Sequence, residues 1–242
     1  MIPLRDDNPT TRTAWITVLL ILVNVGVYFL VQPGAMDVSA TAKFSYEHAA
    51  VPCEVTTGEP LTVDELPALN GGIEDRCNSR SALPEVFPAK HVYLAILLSM
   101  FMHGSVLHLG GNMLFLWVFG NNIEDHVGPV RYLLFYVLAG VIATFTHVFL
   151  QPTSTIPVIG ASGAIAGVMG AYLVLFPNAR VLSLLFFVVA CIRAKWLLLL
   201  WFASQFFVNP NEGIAWAAHV GGFVFGALIG LLVRTRRQLV NS

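Results

Sequence analysis

Long uncharged apolar stretches dominate this chain, and they leave few folds open to it. Six of them approach the ~20 residues that a helix needs to cross a bilayer core. They are Trp15–Val31, His91–Phe119, Arg131–Leu150, Ser162–Phe176, Ala194–Val208 and Ile214–Val233. Their apolar residues run continuously rather than alternating, which argues against a membrane β-barrel. Only 11% of the 242 residues are charged, against roughly 25% in soluble domains. The expected fold is therefore all-α, a bundle of six transmembrane helices with a long external loop between the first and second. Val181–Ile192 is also apolar, but it is too short to cross alone, and Arg193 and Lys195 cut it off from the next apolar run. It reads as an interfacial or re-entrant stretch, with a seventh crossing as the alternative.

Lysine and arginine set orientation. Six crossings place both termini on one face, together with Arg5, Arg12, Arg131, Arg180, Arg193, Lys195, Arg234, Arg236 and Arg237. The other face holds Lys43, Arg76, Arg80 and Lys90, diluted by nine of the fourteen acids. Both termini are thus expected in the cytoplasm. The organisation is then a cytoplasmic segment 1–14, a membrane domain 15–233 with the external loop 32–90, and a basic cytoplasmic tail 234–242. Trp15, Trp196 and Trp216 lie near span ends, where indole rings favour the interface. A cleaved signal peptide is the alternative for the first span, but Asp6 and Asp7 precede it, and its apolar stretch exceeds the usual ~7–15 residue core. Without a basic, acid-poor transit peptide, the expected location is a prokaryotic inner membrane.

Gln32–Lys90 has no sustained hydrophobic period, and loops of that length are generally functional or disordered. It carries Cys53 and Cys77. On an oxidising outer face the two are expected to pair, closing a loop that contributes roughly 3–4 kcal/mol by chain entropy. Two free thiols are the alternative. Cys191 is expected on the opposite side as an inert packed thiol.

Polar groups at membrane depth are expensive and mark functional candidates. Three spans hold them. The second contains His103, His108 and Asn112, the last two sharing a helix face at i and i+4. The fourth begins at Gly160-Ala161-Ser162-Gly163, and the sixth carries Ala218-His219. In the proposed topology all fall in the outer half of their helices. Gly163, Gly167 and Gly170 in the fourth span and Gly222, Gly226 and Gly230 in the sixth allow close backbone approach. Where those faces meet, Ser162 and His219 lie at the same end of one interface. A serine within ~3 Å of an imidazole nitrogen is an activated nucleophile. No span interior holds an Asp or Glu, so the scheme is a Ser-His dyad with His219 as base and then acid. Asn112, His108 and the Ser162 N–H are suitable oxyanion donors.

Taken singly, each group has a plainer reading. Asn112 alone suits interhelical hydrogen bonding, His147 a core position, and Ser162 a small-residue packing site. Metal chemistry is the main chemical rival. His103 and His108 are five apart, however, and no Glu follows His103 as in His-Glu-x-x-His. No metal and no cofactor are expected.

With these residues in place, the chain resembles the rhomboid intramembrane serine proteases. His103-Gly-x-x-x-His108-x-x-x-Asn112, Gly160-x-Ser162-Gly163, Ala218-His219-x-x-Gly222 and Gly120-x-x-x-Glu124 carry the likeness, over roughly Lys90 to Val233. The resemblance implies a six-helix fold in which Ser162 is the nucleophile, His219 the base, and His108 and Asn112 surround the oxyanion. It implies transmembrane protein substrates cut near their outer membrane boundary, with the lipid bilayer as the other partner and no nucleic acid. Two departures stand out. Many members carry an aromatic residue four positions after the nucleophile, where Ala166 stands here. The Trp-Arg of the family's first external loop is absent from Gln32–Lys90. A proteolytically inactive relative that binds or escorts client helices is the alternative function, with a small-solute transporter behind it.

Overall fold

The computed structural model describes residues 2–34, 37–67, 77, 82–185, 187–208 and 215–240, with side chains to 234. Arg76, Arg80, Glu212, Ile214 and the side chains of Arg236 and Arg237 lie outside the described residues. Most of the apolar stretches are helices. α1 spans Trp15–Gly26 and continues as a π-helical turn over Val27–Val31. α6 spans Pro129–Leu150, α7 Ser162–Leu175, α8 Ala194–Ser204 and α9 Trp216–Val240. α9 thus runs through most of the expected C-terminal tail. Among the described residues, two helices are long and apolar enough to cross a bilayer, Pro129–Leu150 and Trp216–Arg234. Trp15 and Trp196 are exposed near helix starts.

The second predicted span is not one helix. It divides into α4, Val92–Ser99, and α5, Val106–Val127. Ser105 ends the break by accepting a hydrogen bond from the His108 N–H at 3.0 Å, capping α5. A break in apolar surroundings leaves backbone groups to satisfy. Gln32 does this from the end of the first helical segment, its Oε1 accepting from the His103 N–H (2.9 Å) and its Nε2 donating to the His103 carbonyl (3.0 Å).

The fold also departs from the all-α expectation. Val181–Ile192, expected as an interfacial or re-entrant stretch, folds as a hairpin, β2 (Arg180–Leu185) and β3 (Val188–Arg193). The N-terminal segment forms β1, Ile2–Asp6, and the order is β1-β2-β3, antiparallel throughout. Backbone pairing satisfies a stretch too short to span. Asp6 ties the sheet to the bundle by accepting from Tyr172 Oη (2.6 Å) and Asn122 Nδ2 (2.7 Å). Burial raises its carboxyl above the ordinary range, against those bonds. Cys191 is exposed on β3, not packed. At the same end Glu124 caps α1, accepting from the N–H groups of Ile16 (2.9 Å) and Thr17 (2.8 Å), a favourable place for a carboxylate at a helix N-terminus.

The insertion 32–90 has structure of its own. α2 spans Val38–His48 and α3 Pro52–Thr57, and Cys53 is disulfide-bonded to Cys77. Lys90 and Glu54 form a buried ion pair, and Lys90 also donates to the Tyr46 carbonyl at 2.7 Å. Burial is the largest influence on both charges, raising the Glu54 carboxyl and lowering the Lys90 ammonium, while the pairing opposes it. Main-chain bonds join the insertion to the rest. The Val158 N–H donates to the Ala50 carbonyl (2.8 Å), and the Cys53 N–H to the Ser154 carbonyl (2.9 Å).

Candidate active site

α7 and α9 meet along their glycines. A Cβ on Gly222 would overlap the Gly163 carbonyl, one on Gly226 the Gly167 carbonyl, and one on Gly170 the Phe223 carbonyl. No side chain separates the two backbones there. Ser162 is the first residue of α7, and His219 lies in the first turn of α9. The close seam therefore brings both to one end of one interface. Ser162 Oγ stands 2.8 Å from His219 Nε2.

The pair lies in a cavity of about 920 Å³. His108 and Asn112 from α5 face it, as do Trp201 from α8 and His147 from α6. The connection between α6 and α7, from Gln151 to Ile159, forms one wall. This is the connection to which the insertion is bonded, so the insertion braces the rim of the cavity. Gly160 closes the wall onto α7. Its φ of 120° lies in a region that side chains rarely adopt, and a Cβ there would stand 2.9 Å from the His108 ring. Its N–H donates to the Ser99 carbonyl at 2.9 Å. Glycine is required at this point on both counts.

The α5 motif is held from within. Asn112 Nδ2 donates to His103 Nε2 at 2.9 Å, and the His103 ring meets the His108 ring edge-on at 5.0 Å between centroids. His103 is fully buried and outside the cavity lining, so it supports Asn112 rather than facing the cavity. Asn112 keeps its second amide hydrogen. The first N–H groups of α7 have no intrahelical acceptor, and they lie at the positive end of the helix dipole beside Ser162. Together these donors suit an oxygen that gains negative charge next to the serine.

Two neighbours of His219 escaped the sequence reading. His219 Nδ1 bonds Gln205 Oε1 at 2.7 Å, and the Trp201 ring lies 5.9 Å from the imidazole. Both come from α8 and the 3-10 turn Gln205–Phe207 that continues it. A glutamine inside a predicted span was the available signal. The ring beside the histidine thus arrives from α8 and not from the position of Ala166. One and two turns after Ser162, Ile165 and Met169 line the cavity, whereas Ala166 is fully covered in the core.

A helical membrane protein with a serine and a histidine hydrogen-bonded in a cavity is the class that these features define. The family model described as Rhomboid domain matches residues 90–236, more than half of the chain. The chain belongs to the rhomboid family, whose members are generally intramembrane serine proteases. It is similar to Rhomboid protein 1, mitochondrial, of Saccharomyces cerevisiae, at 33% identity over 146 residues, 57% of this chain and 41% of that protein. Presenilin-associated rhomboid-like protein A, mitochondrial, of Danio rerio is 34% identical over 166 residues, 61% of this chain and 41% of that protein. RHOMBOID-like protein 6, mitochondrial, of Arabidopsis thaliana is 26% identical over 242 residues, 97% of this chain and 73% of that protein. The chain spans only 41% of the length of the first two. All three are eukaryotic proteins with mitochondrial names, which overturns the expected prokaryotic inner membrane and cytoplasmic termini.

Proposed function

We propose that this chain is an intramembrane serine endopeptidase that cuts membrane-anchored, single-span proteins near a membrane boundary. The observation that carries this is the 2.8 Å contact between Ser162 Oγ and His219 Nε2 inside a cavity shared with His108 and Asn112. His219 takes the hydroxyl proton as Ser162 attacks the scissile carbonyl. The tetrahedral oxygen is met by Asn112, His108 and the N–H of Ser162. His219 then gives its proton to the leaving amine, and water hydrolyses the acyl-enzyme by the reverse roles. No metal or cofactor takes part in this scheme.

The reading includes six crossings, with α4 and α5 together as the second, in a membrane domain 15–233. The insertion 32–90 lies on the cavity side, and the termini share the opposite, basic side. The relatives' names support a mitochondrial membrane as the location. The substrate is a transmembrane protein and the bilayer is its solvent.

The test is cleavage of tagged single-span proteins by purified wild type, Ser162→Ala and His219→Ala, with fluorophosphonate labelling alongside. Loss of turnover in both variants, and labelling of the wild type at Ser162, is the expected result. Cleavage by Ser162→Ala at the wild-type rate would end the serine-protease reading. An unlabelled, inactive wild type would leave the helix-binding alternative.

A further inference from the structure

We infer that Gln205 is a positioning residue for His219, fixing the imidazole tautomer that the proposed protease needs. The inference rests on that reading and adds a third member to the pair.

The amide's orientation is set by its own contacts. Its Nε2 can only donate, and it bonds the Trp201 carbonyl at 3.1 Å and Ser204 Oγ at 3.2 Å. Its Oε1 can only accept, and it meets His219 Nδ1 at 2.7 Å. The reverse orientation would turn the amide oxygen towards the Trp201 carbonyl, acceptor against acceptor. His219 Nδ1 therefore carries the ring proton. Nε2 is left with its lone pair, 2.8 Å from Ser162 Oγ. That is the form able to accept the serine proton, and the bond made by the far nitrogen selects it.

Burial reinforces the bond. Gln205 is only 7% exposed, so water competes poorly for its amide. A carboxylate at this place would carry a charge into apolar surroundings at high cost. An amide supplies the same acceptor without net charge. It orients the ring, although it stabilises the imidazolium less than a carboxylate would. Trp201 belongs to the same device. Its carbonyl anchors the amide, and its indole flanks the ring. One short segment of α8 thus controls both the rotation and the protonation pattern of His219.

The experiment uses the full chain in proteoliposomes. It compares wild type, Gln205→Leu, Gln205→Asn and Gln205→Glu by kcat, KM and fluorophosphonate labelling rate as functions of pH. Gln205→Leu removes the acceptor at similar size and is expected to lower kcat about 10²-fold, the low end of what a positioned base contributes, with KM little changed. Gln205→Asn shortens the reach and is expected to do the same if Gln205→Leu fails to fold. Gln205→Glu keeps the acceptor, so it retains much of kcat. Its charge favours the imidazolium, so the acid limb of its pH profile moves to higher pH. A merely structural role would not move that limb. Wild-type kcat and pH profile in a folded Gln205→Leu or Gln205→Asn, or an unmoved limb in Gln205→Glu, overturns the inference. Nitrogen-15 NMR of labelled histidine reads the tautomer without activity. An Nδ1–H ring in wild type, lost in Gln205→Asn, sustains the role of Gln205 even if the wild type never reacts with the fluorophosphonate. An Nε2–H ring in wild type overturns it.

Discussion

The two elements that flank His219 hold it by different physics. On one side α7 meets α9 backbone to backbone through Gly163, Gly167, Gly222 and Gly226. On the other, α8 and its terminal turn reach α9 through rings. Phe202 stacks on Phe223 at 4.6 Å, and Trp201 lies 6.0 Å from Phe223. A backbone seam has no rotamers and adjusts only if a whole helix moves. Ring contacts can slide or be trimmed while both helices stay in place. The seam therefore sets the distance between the proposed nucleophile and base, while α8 sets how the base is turned.

Gly226→Ala should be the largest break. The new Cβ would overlap the Gly167 carbonyl, which is main chain and has nowhere to go. Overpacking typically costs ~1–3 kcal/mol, and more where backbone must shift. Loss of fluorophosphonate labelling with a lowered Tm is expected. Gly110→Ala is the control, because a Cβ on that α5 glycine meets nothing within 4 Å. It should label normally and lose no stability, since Ala in a helix is favoured over Gly by up to ~1 kcal/mol. Equal behaviour of the two variants would dissolve the distinction.

Ala166→Phe should come next. Ala166 is fully covered within α7 and does not line the cavity. A ring there overpacks the core, so thermal unfolding should show a loss of ~1–3 kcal/mol. No gain in turnover is expected, because Trp201 already flanks His219. A gain would move the ring-supporting role back to α7.

Phe202→Ala should do least. It removes one stacked ring from α8 and leaves the seam untouched. A fall in kcat of a few fold is expected, with Tm lowered by the loss of one partly buried ring, since an aromatic pair is worth ~0.5–1.5 kcal/mol beyond its buried area. A loss as complete as that of Gly226→Ala would show that the ring contacts also hold the fold.

Much of the bundle could be read from the chain, because membrane helices announce themselves by local apolar length. The Ser162–His219 meeting could be anticipated as well, because glycines at four-residue spacing mark both partner faces. The rest depended on distant contacts. Within His91–Phe119 only the short His103-Gly104-Ser105 run marks the break, which is stabilised by Gln32, 71 residues before His103. Val181–Ile192 gave no sign of a hairpin because it is almost continuously apolar and carries no Gly, Pro, Asn or Asp to mark a turn, and the third strand, β1, lies far away in sequence. Gln205 is not legible as a site residue in the sequence, because a glutamine near a predicted helix end looks like a boundary residue, and its bond to His219 exists only after α8 and α9 are side by side.

The seam also bears on how this chain can drift. Every single-base change in a glycine codon that alters the amino acid without ending translation adds at least a Cβ. At Gly222 and Gly226 that atom falls on main chain. Apart from silent changes these codons have no harmless neighbour, whereas those of Gly26 and Gly110 open onto free space. A random library would thus find the two helices that carry the serine and histidine closed to variation along one stripe, and new specificity would have to arise from the cavity wall and α8.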